Sequence, residues 1–259
     1  MHLLKFLLSF FCFSSLADGL PPGVPSPTNS DGMYTEGIFY TTKAYSDTVA
    51  ELLLAEANRV ACDLKLKEHL PINKEDSPKI FVSPFGFSYL HHCLGNVETK
   101  NWFYNALCDY KLSEVIMVNY EGFCQRKRPY FMLPISKVDT NKALRVSKKF
   151  LTAMKVDVAA LDRDSNLKVE ISPDFNNNNS KSFFPAYLVS WIPKQGEGVT
   201  FVELFLPTKT LLQLSVKKSQ FINRPPIVIT NLATLLAPTN VCSTILTENS
   251  NSSVILTKP

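Results

Sequence analysis

Two helical patterns, each followed by a run of strand-like stretches, constrain the fold of this chain more than any other feature. In the first pattern, apolar residues recur at steps of four, four, three and four: Val49, Leu53, Ala57, Val60 and Leu64. That spacing places one apolar stripe on a helix, and Thr48 and Glu51 have the spacing of a capping box at its start. Residues 81–90, 97–105 and 115–120 are rich in aromatic or β-branched side chains and predict strands.

The second helical pattern begins near Asp139 and continues, after a bend, through residues 158–161. Its apolar face consists of Ala143, Val146, Phe150 and Met154. Strands are then predicted over residues 167–172, 184–192, 199–206 and 211–216. Proline and glycine make residues 193–198 a hairpin loop, and residues 207–209 form a tight connection between strands.

Consecutive strands favour antiparallel meanders, so the predicted fold class is α+β, with two helix-on-antiparallel-sheet halves, residues 46–136 and 137–230. A hydrophobic share of 45% excludes a wholly disordered chain. Residues 18–45 have the composition of a proline- and serine-rich linker, and residues 231–259 that of a loose polar tail. Residues 125–130, with three basic side chains and a proline, are predicted to form a basic turn.

The N-terminus has the pattern of a secretory signal peptide, residues 1–17. A positive charge at Lys5 precedes a mostly apolar run, and Ser15 and Ala17 form a small-x-small cleavage step. The run is shorter than the ~20 residues that span a bilayer. We therefore expect an exported protein, secreted or periplasmic, with no transmembrane segment after signal cleavage.

Export would place the remaining cysteines in an oxidising compartment, where pairing is favoured. Five remain after cleavage, so at least one is unpaired or shared with another chain. The candidates for disulfide bonds are Cys62, Cys93, Cys108 and Cys124, which lie within 63 residues of one another. Four cysteines can pair in three ways, and plain buried thiols are the alternative.

Five stretches are similar to an uncharacterised secreted bacterial family of the Verrucomicrobia type: residues 134–141, 156–161, 185–191, 203–212 and 224–226. A helix followed by an antiparallel meander in a secreted chain also resembles cystatin-like and PepSY-type modules. The resemblance implies export and an α+β fold, and PepSY-type modules are associated with binding or restraining partners. The Gln-x-Val-x-Gly hairpin of cystatin inhibitors is missing from this sequence, so inhibition of papain-type proteases is not implied.

The sharpest chemical feature is the run His91, His92 and Cys93. On a strand, His91 and Cys93 would share a face, and an imidazole with a thiolate suits zinc. Two further ligands would have to come from elsewhere in the chain. The alternative is a half-buried strand that carries a structural cysteine.

Other catalytic and cofactor signatures are missing from the sequence. It contains no Gly-x-Ser-x-Gly elbow, no P-loop and no dinucleotide fingerprint, so we expect no cofactor. A net charge of +4 over 259 residues is too weak to imply nucleic acid or an acidic membrane surface. The short basic pieces 126–128, 148–149 and 217–218 are interpreted as solvated surface.

Aromatic side chains provide the remaining binding candidates. Trp102, Tyr104, Tyr187 and Trp191 are candidates for a ligand platform, with core packing as the alternative. The predicted function is an exported, non-catalytic binding or accessory module of the cell envelope, with an unknown protein or peptide partner and no nucleic acid. The alternatives are a secreted hydrolase whose carboxylates converge in a cleft and a structural envelope protein.

Overall fold

A computed structural model describes residues 38–73, 76–83, 94–106, 110–176, 181–235 and 242–245. The predicted signal peptide, most of the predicted linker, and His91, Cys93 and Cys108 lie outside these residues. None of the helices in this part of the chain is long and apolar enough to cross a membrane.

Helices separate runs of consecutive strands along the chain. The helices are α1 Lys43–Asp63, α2 Tyr120–Phe131, α3 Thr140–Ala153, α4 Val158–Asp164 and α5 Leu232–Leu235. The first five strands are β1 Ile38–Thr41, β2 Lys79–Val82, β3 Gly95–Glu98, β4 Trp102–Ala106 and β5 Glu114–Met117. Those that follow are β6 Leu133–Pro134, β7 Ser165–Ile171, β8 Ser182–Phe183, β9 Ala186–Pro193, β10 Thr200–Phe205, β11 Thr210–Ser215 and β12 Cys242–Ile245.

One eight-stranded antiparallel sheet organises the molecule, in the order β2-β3-β4-β5-β11-β10-β9-β7. The α+β class with antiparallel meanders is therefore confirmed. Strands from the two predicted halves pair directly, with Leu214 of β11 opposite Val115 of β5. The halves thus share one sheet. Two further, two-stranded sheets pair β1 with β12 and β6 with β8, so residues of the predicted linker and of the predicted tail form strands.

Helices α1 and α3 cover the same face of the large sheet. The predicted stripe of α1 is buried through Val49, Leu53, Ala57 and Val60, and α3 buries Ala143, Val146 and Leu151. Both sets belong to one continuous apolar core that also contains Val97, Val115, Val189, Val202 and Leu214 from the sheet. Burial of this shared face is the main apolar contribution to the stability of the fold.

Helix α1 begins earlier than its predicted capping box. Thr42 is the N-cap, because its side chain accepts a hydrogen bond from the Tyr45 backbone N–H at 3.0 Å. Thr48 lies inside the helix, where its hydroxyl donates to the Ala44 carbonyl at 2.8 Å. The prediction that α1 starts at Thr48 was wrong, because an earlier threonine completes the cap.

Helix α2 overturns the predicted basic turn, since residues 125–130 are helical. Asn119 caps the helix by accepting from the Gly122 N–H at 3.1 Å. The rings of Phe123 and Phe131 then pack edge to face on Phe205 of β10, with centroids 5.7 and 5.2 Å apart. This packing joins α2, through its buried Cys124, to a second, smaller apolar cluster. The other buried members of that cluster are Phe184, Ala186, Phe205 and Leu212.

Candidate functional site

The four aromatic residues predicted as a ligand platform are core residues. Trp102, Tyr104, Tyr187 and Trp191 are 3%, 1%, 1% and 0% exposed. They lie on the sheet face that α1 and α3 cover, so they form no exposed platform. Two of them have structural hydrogen bonds: the Trp191 indole donates to Asp162 at 2.8 Å, and the Tyr187 hydroxyl accepts from the Asp139 N–H at 3.0 Å.

The predicted zinc ligands His91 and Cys93 lie outside the described residues, as does Cys108. Of the disulfide candidates that the structure does describe, Cys62 is exposed and Cys124 is buried, and both have free thiols. Among the described residues, no three His, Cys, Asp or Glu side chains are arranged to hold a metal ion.

A surface groove of about 210 Å³ is the place where acidic side chains approach a histidine. It is lined by Glu68, His69, Ile72, Asp76, Pro78, Thr99, Lys100 and Asn101. His69 Nδ1 lies 3.5 Å from Asp76 Oδ1. Glu68 accepts from the Thr99 hydroxyl at 2.6 Å, and Asp76 accepts from the Asn73 N–H at 2.9 Å. The carboxylates of Glu68 and Asp76 therefore hold in place the loops that contain Thr99 and Asn73.

The basic charge of the chain is concentrated in residues 126–155. This stretch contains nine of the 27 Lys and Arg residues but only one acidic residue, Asp139. The rest of the chain has 18 basic and 22 acidic residues. Residues 126–155 therefore carry a charge of +8, and the rest of the chain carries −4, which gives the net charge of +4.

Most of these basic side chains are exposed and have no carboxylate partner. By the basic surface we mean the seven exposed basic side chains of residues 126–155, which are Arg126, Arg128, Lys137, Lys142, Arg145, Lys149 and Lys155. Within the described ranges, no ion pair joins any of the seven to an acidic residue. Lys127 differs, because its ammonium lies 5.9 Å from the ring centroids of Phe123 and Phe131. Lys148 differs too, since it pairs with Asp162 at 2.5 Å.

An apolar segment, residues 130–135, divides these basic residues along the chain. All six of its residues are apolar or aromatic, and it lies in the chain between Arg128 and Lys137. Tyr130 is 82% exposed, Ile135 is 52% exposed and Met132 is 37% exposed. Such a run of exposed apolar side chains is uncommon on a protein surface unless something covers it.

Alternate residues of the apolar segment anchor it to the sheet. Phe131 packs on Phe205, and Leu133 is paired with Phe183 of β8. The Ile135 N–H donates to the Lys181 carbonyl at 3.1 Å. The exposed side chains between these anchors are therefore presented by a fixed backbone.

Sequence reasoning missed this surface because it averaged charge over the whole chain. A count in 30-residue windows would have identified residues 126–155, and the apolar run inside them is visible in the same window.

No protein-family model, no curated protein and no solved structure matches this chain. The resemblance to a secreted bacterial family and to cystatin-like or PepSY-type modules stays a prediction. A function has to be inferred from the surface itself.

Proposed function

We propose that this chain is an exported, non-catalytic binding module of the cell envelope that attaches to an anionic partner through the basic surface. The observation that carries this proposal is the set of seven exposed basic side chains without a described carboxylate partner. Arg145 and Lys149 are one turn apart on α3, where like charges repel one another, and an anionic partner would relieve that repulsion. The signal peptide and the cystatin-like or PepSY-like character of the two halves belong to the same proposal.

A binding role is also supported by the burial of one thiol and of one hydroxyl–carboxylate pair among the described residues. Burial and the nearby Glu203 charge raise the pKa of the Cys124 thiol to about 12, so it is protonated at neutral pH. The Ser172 hydroxyl donates to Glu203, and both residues are buried, at 1% and 4% exposed. The groove brings acidic side chains together, as the hydrolase alternative requires, but Glu68 and Asp76 there already accept hydrogen bonds from the protein.

The test is binding of the purified mature protein to dextran sulfate, a polyanion without apolar groups, over a range of salt concentrations. We expect affinity to fall as salt rises. The double variant Arg145→Gln/Lys149→Gln should bind more weakly. The slope of its log affinity against log salt concentration should be shallower by about two, because two fewer counter-ions are released. Glutamine is compatible with an exposed helix, so α3 should stay folded.

The matched control removes two exposed charges outside the basic surface, Lys67→Gln/Lys209→Gln. It has the same net charge as the test variant, so equal weakening by both variants would mean that only overall charge matters. Equal weakening, or no binding by the wild type, would contradict the proposed function.

A further inference from the structure

We infer that the anionic partner is the surface of a phospholipid bilayer and that the apolar segment enters its headgroup region. This inference rests on the proposed function and adds the class of partner. Its motive is that the exposed side chains of Tyr130, Met132 and Ile135 lie along the chain between two exposed basic residues, Arg128 and Lys137, each two residues from one end of the segment.

The basic side chains and the exposed apolar side chains require different chemistry from a partner. Phosphates or carboxylates of a soluble polyanion can neutralise the basic surface, but they leave Tyr130, Met132 and Ile135 in water. A bilayer with anionic lipids meets both demands, because phosphates lie next to an apolar layer. Tyrosine suits this boundary, since its ring is apolar and its hydroxyl can stay hydrated.

The anchored backbone makes insertion less costly. Because Phe131, Leu133 and the Ile135 N–H are already held by the sheet, little conformational entropy is lost when the exposed side chains are covered. Long Lys and Arg side chains can reach phosphates while their methylene groups cover apolar surface. The segment is six residues long, so it enters one interface and does not cross the bilayer.

The experiment is flotation of the mature protein with phosphatidylcholine vesicles, with and without phosphatidylglycerol. We expect binding only to the phosphatidylglycerol vesicles. Tyr130→Ser/Ile135→Ser should weaken vesicle binding by about tenfold or more while leaving dextran sulfate binding unchanged. Val228→Ser, at another exposed apolar site that is 64% exposed, is the control and should bind vesicles like the wild type.

A second readout does not depend on loss of binding. Trp102 and Trp191 are buried, so a tryptophan introduced by Tyr130→Trp reports the environment of the apolar segment. Its emission should shift to shorter wavelength when phosphatidylglycerol vesicles are added. No shift with bound vesicles would overturn insertion of this segment.

The outcomes separate this inference from the proposed function. Binding to dextran sulfate without binding to phosphatidylglycerol vesicles would overturn the bilayer and leave the anionic partner standing. Failure to bind either would overturn both. Tighter binding to a single-stranded oligonucleotide or an acidic peptide than to vesicles would assign the surface to that partner and overturn the lipid inference.

Discussion

Arg224 shows how a single buried charge can join distant parts of this chain. Its side chain is 3% exposed and lies between α1 and the end of α3. The guanidinium donates to the Met154 carbonyl at 3.2 Å and the Ala153 carbonyl at 3.3 Å, and it pairs with Glu56 and Asp63 of α1. Two carbonyls near the α3 C-terminus and two carboxylates of α1 therefore share one cation.

We predict that Arg224→Met lowers the free energy of unfolding by about 3–5 kcal/mol, because it leaves the buried Glu56 carboxylate short of a partner. Arg59→Met is the matched control. Arg59 also pairs with Glu56, but its side chain is 49% exposed, so its loss should cost about 1 kcal/mol or less. Urea unfolding measures both, and equal losses would show that burial of Arg224 does not set its contribution.

Residue chemistry explains which candidate residues could be predicted from sequence. Core packing of Trp102 and Trp191 was the alternative to a platform, and composition alone could not choose between them. The choice depends on which face of β4 and β9 the helices cover, and that is decided by tertiary packing. The role of Arg224 was equally invisible, because its partners are 161 and 168 residues away in the sequence.

Elements with a strong hydrophobic periodicity in the sequence were predictable. Elements that depend on packing against distant parts of the chain were not. The stripe of α1, the start of α3 after Asp139 and the hairpin between β9 and β10 follow the local pattern. Helix α2 was missed because it contains Pro129 and only one fully buried residue, Cys124. Its docking depends on Phe205, which lies far along the chain.

Docking of α2 should be sensitive to alkaline pH through Cys124. Burial, with the Glu203 charge, raises the pKa of this thiol from 9.0 to about 12 in the folded state. A raised folded-state pKa stabilises the fold below pH 9, and this contribution is lost as pH rises from 9 towards 12. Burial raises the pKa of Tyr120, on the same helix, to about 12, in the same direction.

We predict that the free energy of unfolding of Cys124→Ala falls less steeply above pH 9 than that of the wild type. The difference in slope should be ~1.4 kcal/mol for each pH unit, which corresponds to one proton. The difference from wild type isolates the thiol from Tyr120, which titrates in both proteins. Cys62→Ala removes the other described free thiol, which is exposed, and serves as the control for loss of a cysteine. Urea unfolding at neutral and alkaline pH checks this, and parallel curves for wild type and Cys124→Ala would refute it.

At the scale of the whole molecule, sequence patterns predicted the α+β class and the antiparallel strands but not how the halves combine. The pairing of β5 with β11 joins strands about a hundred residues apart, and no local pattern encodes that contact. The same holds for charge. A whole-chain average described the protein as weakly basic, whereas residues 126–155 contain nine basic residues and one acidic residue, with an apolar segment among them.

The central claim, that the basic surface is where an anionic partner binds, is tested most directly by lysine footprinting. The mature protein is acetylated with and without dextran sulfate, and the modified lysines are mapped by mass spectrometry. We predict that Lys137, Lys142, Lys149 and Lys155 become protected, while exposed lysines elsewhere, such as Lys67 and Lys209, react as before. Protection at Lys67 and at Lys100 in the groove, with unchanged reactivity across 137–155, would contradict the claim.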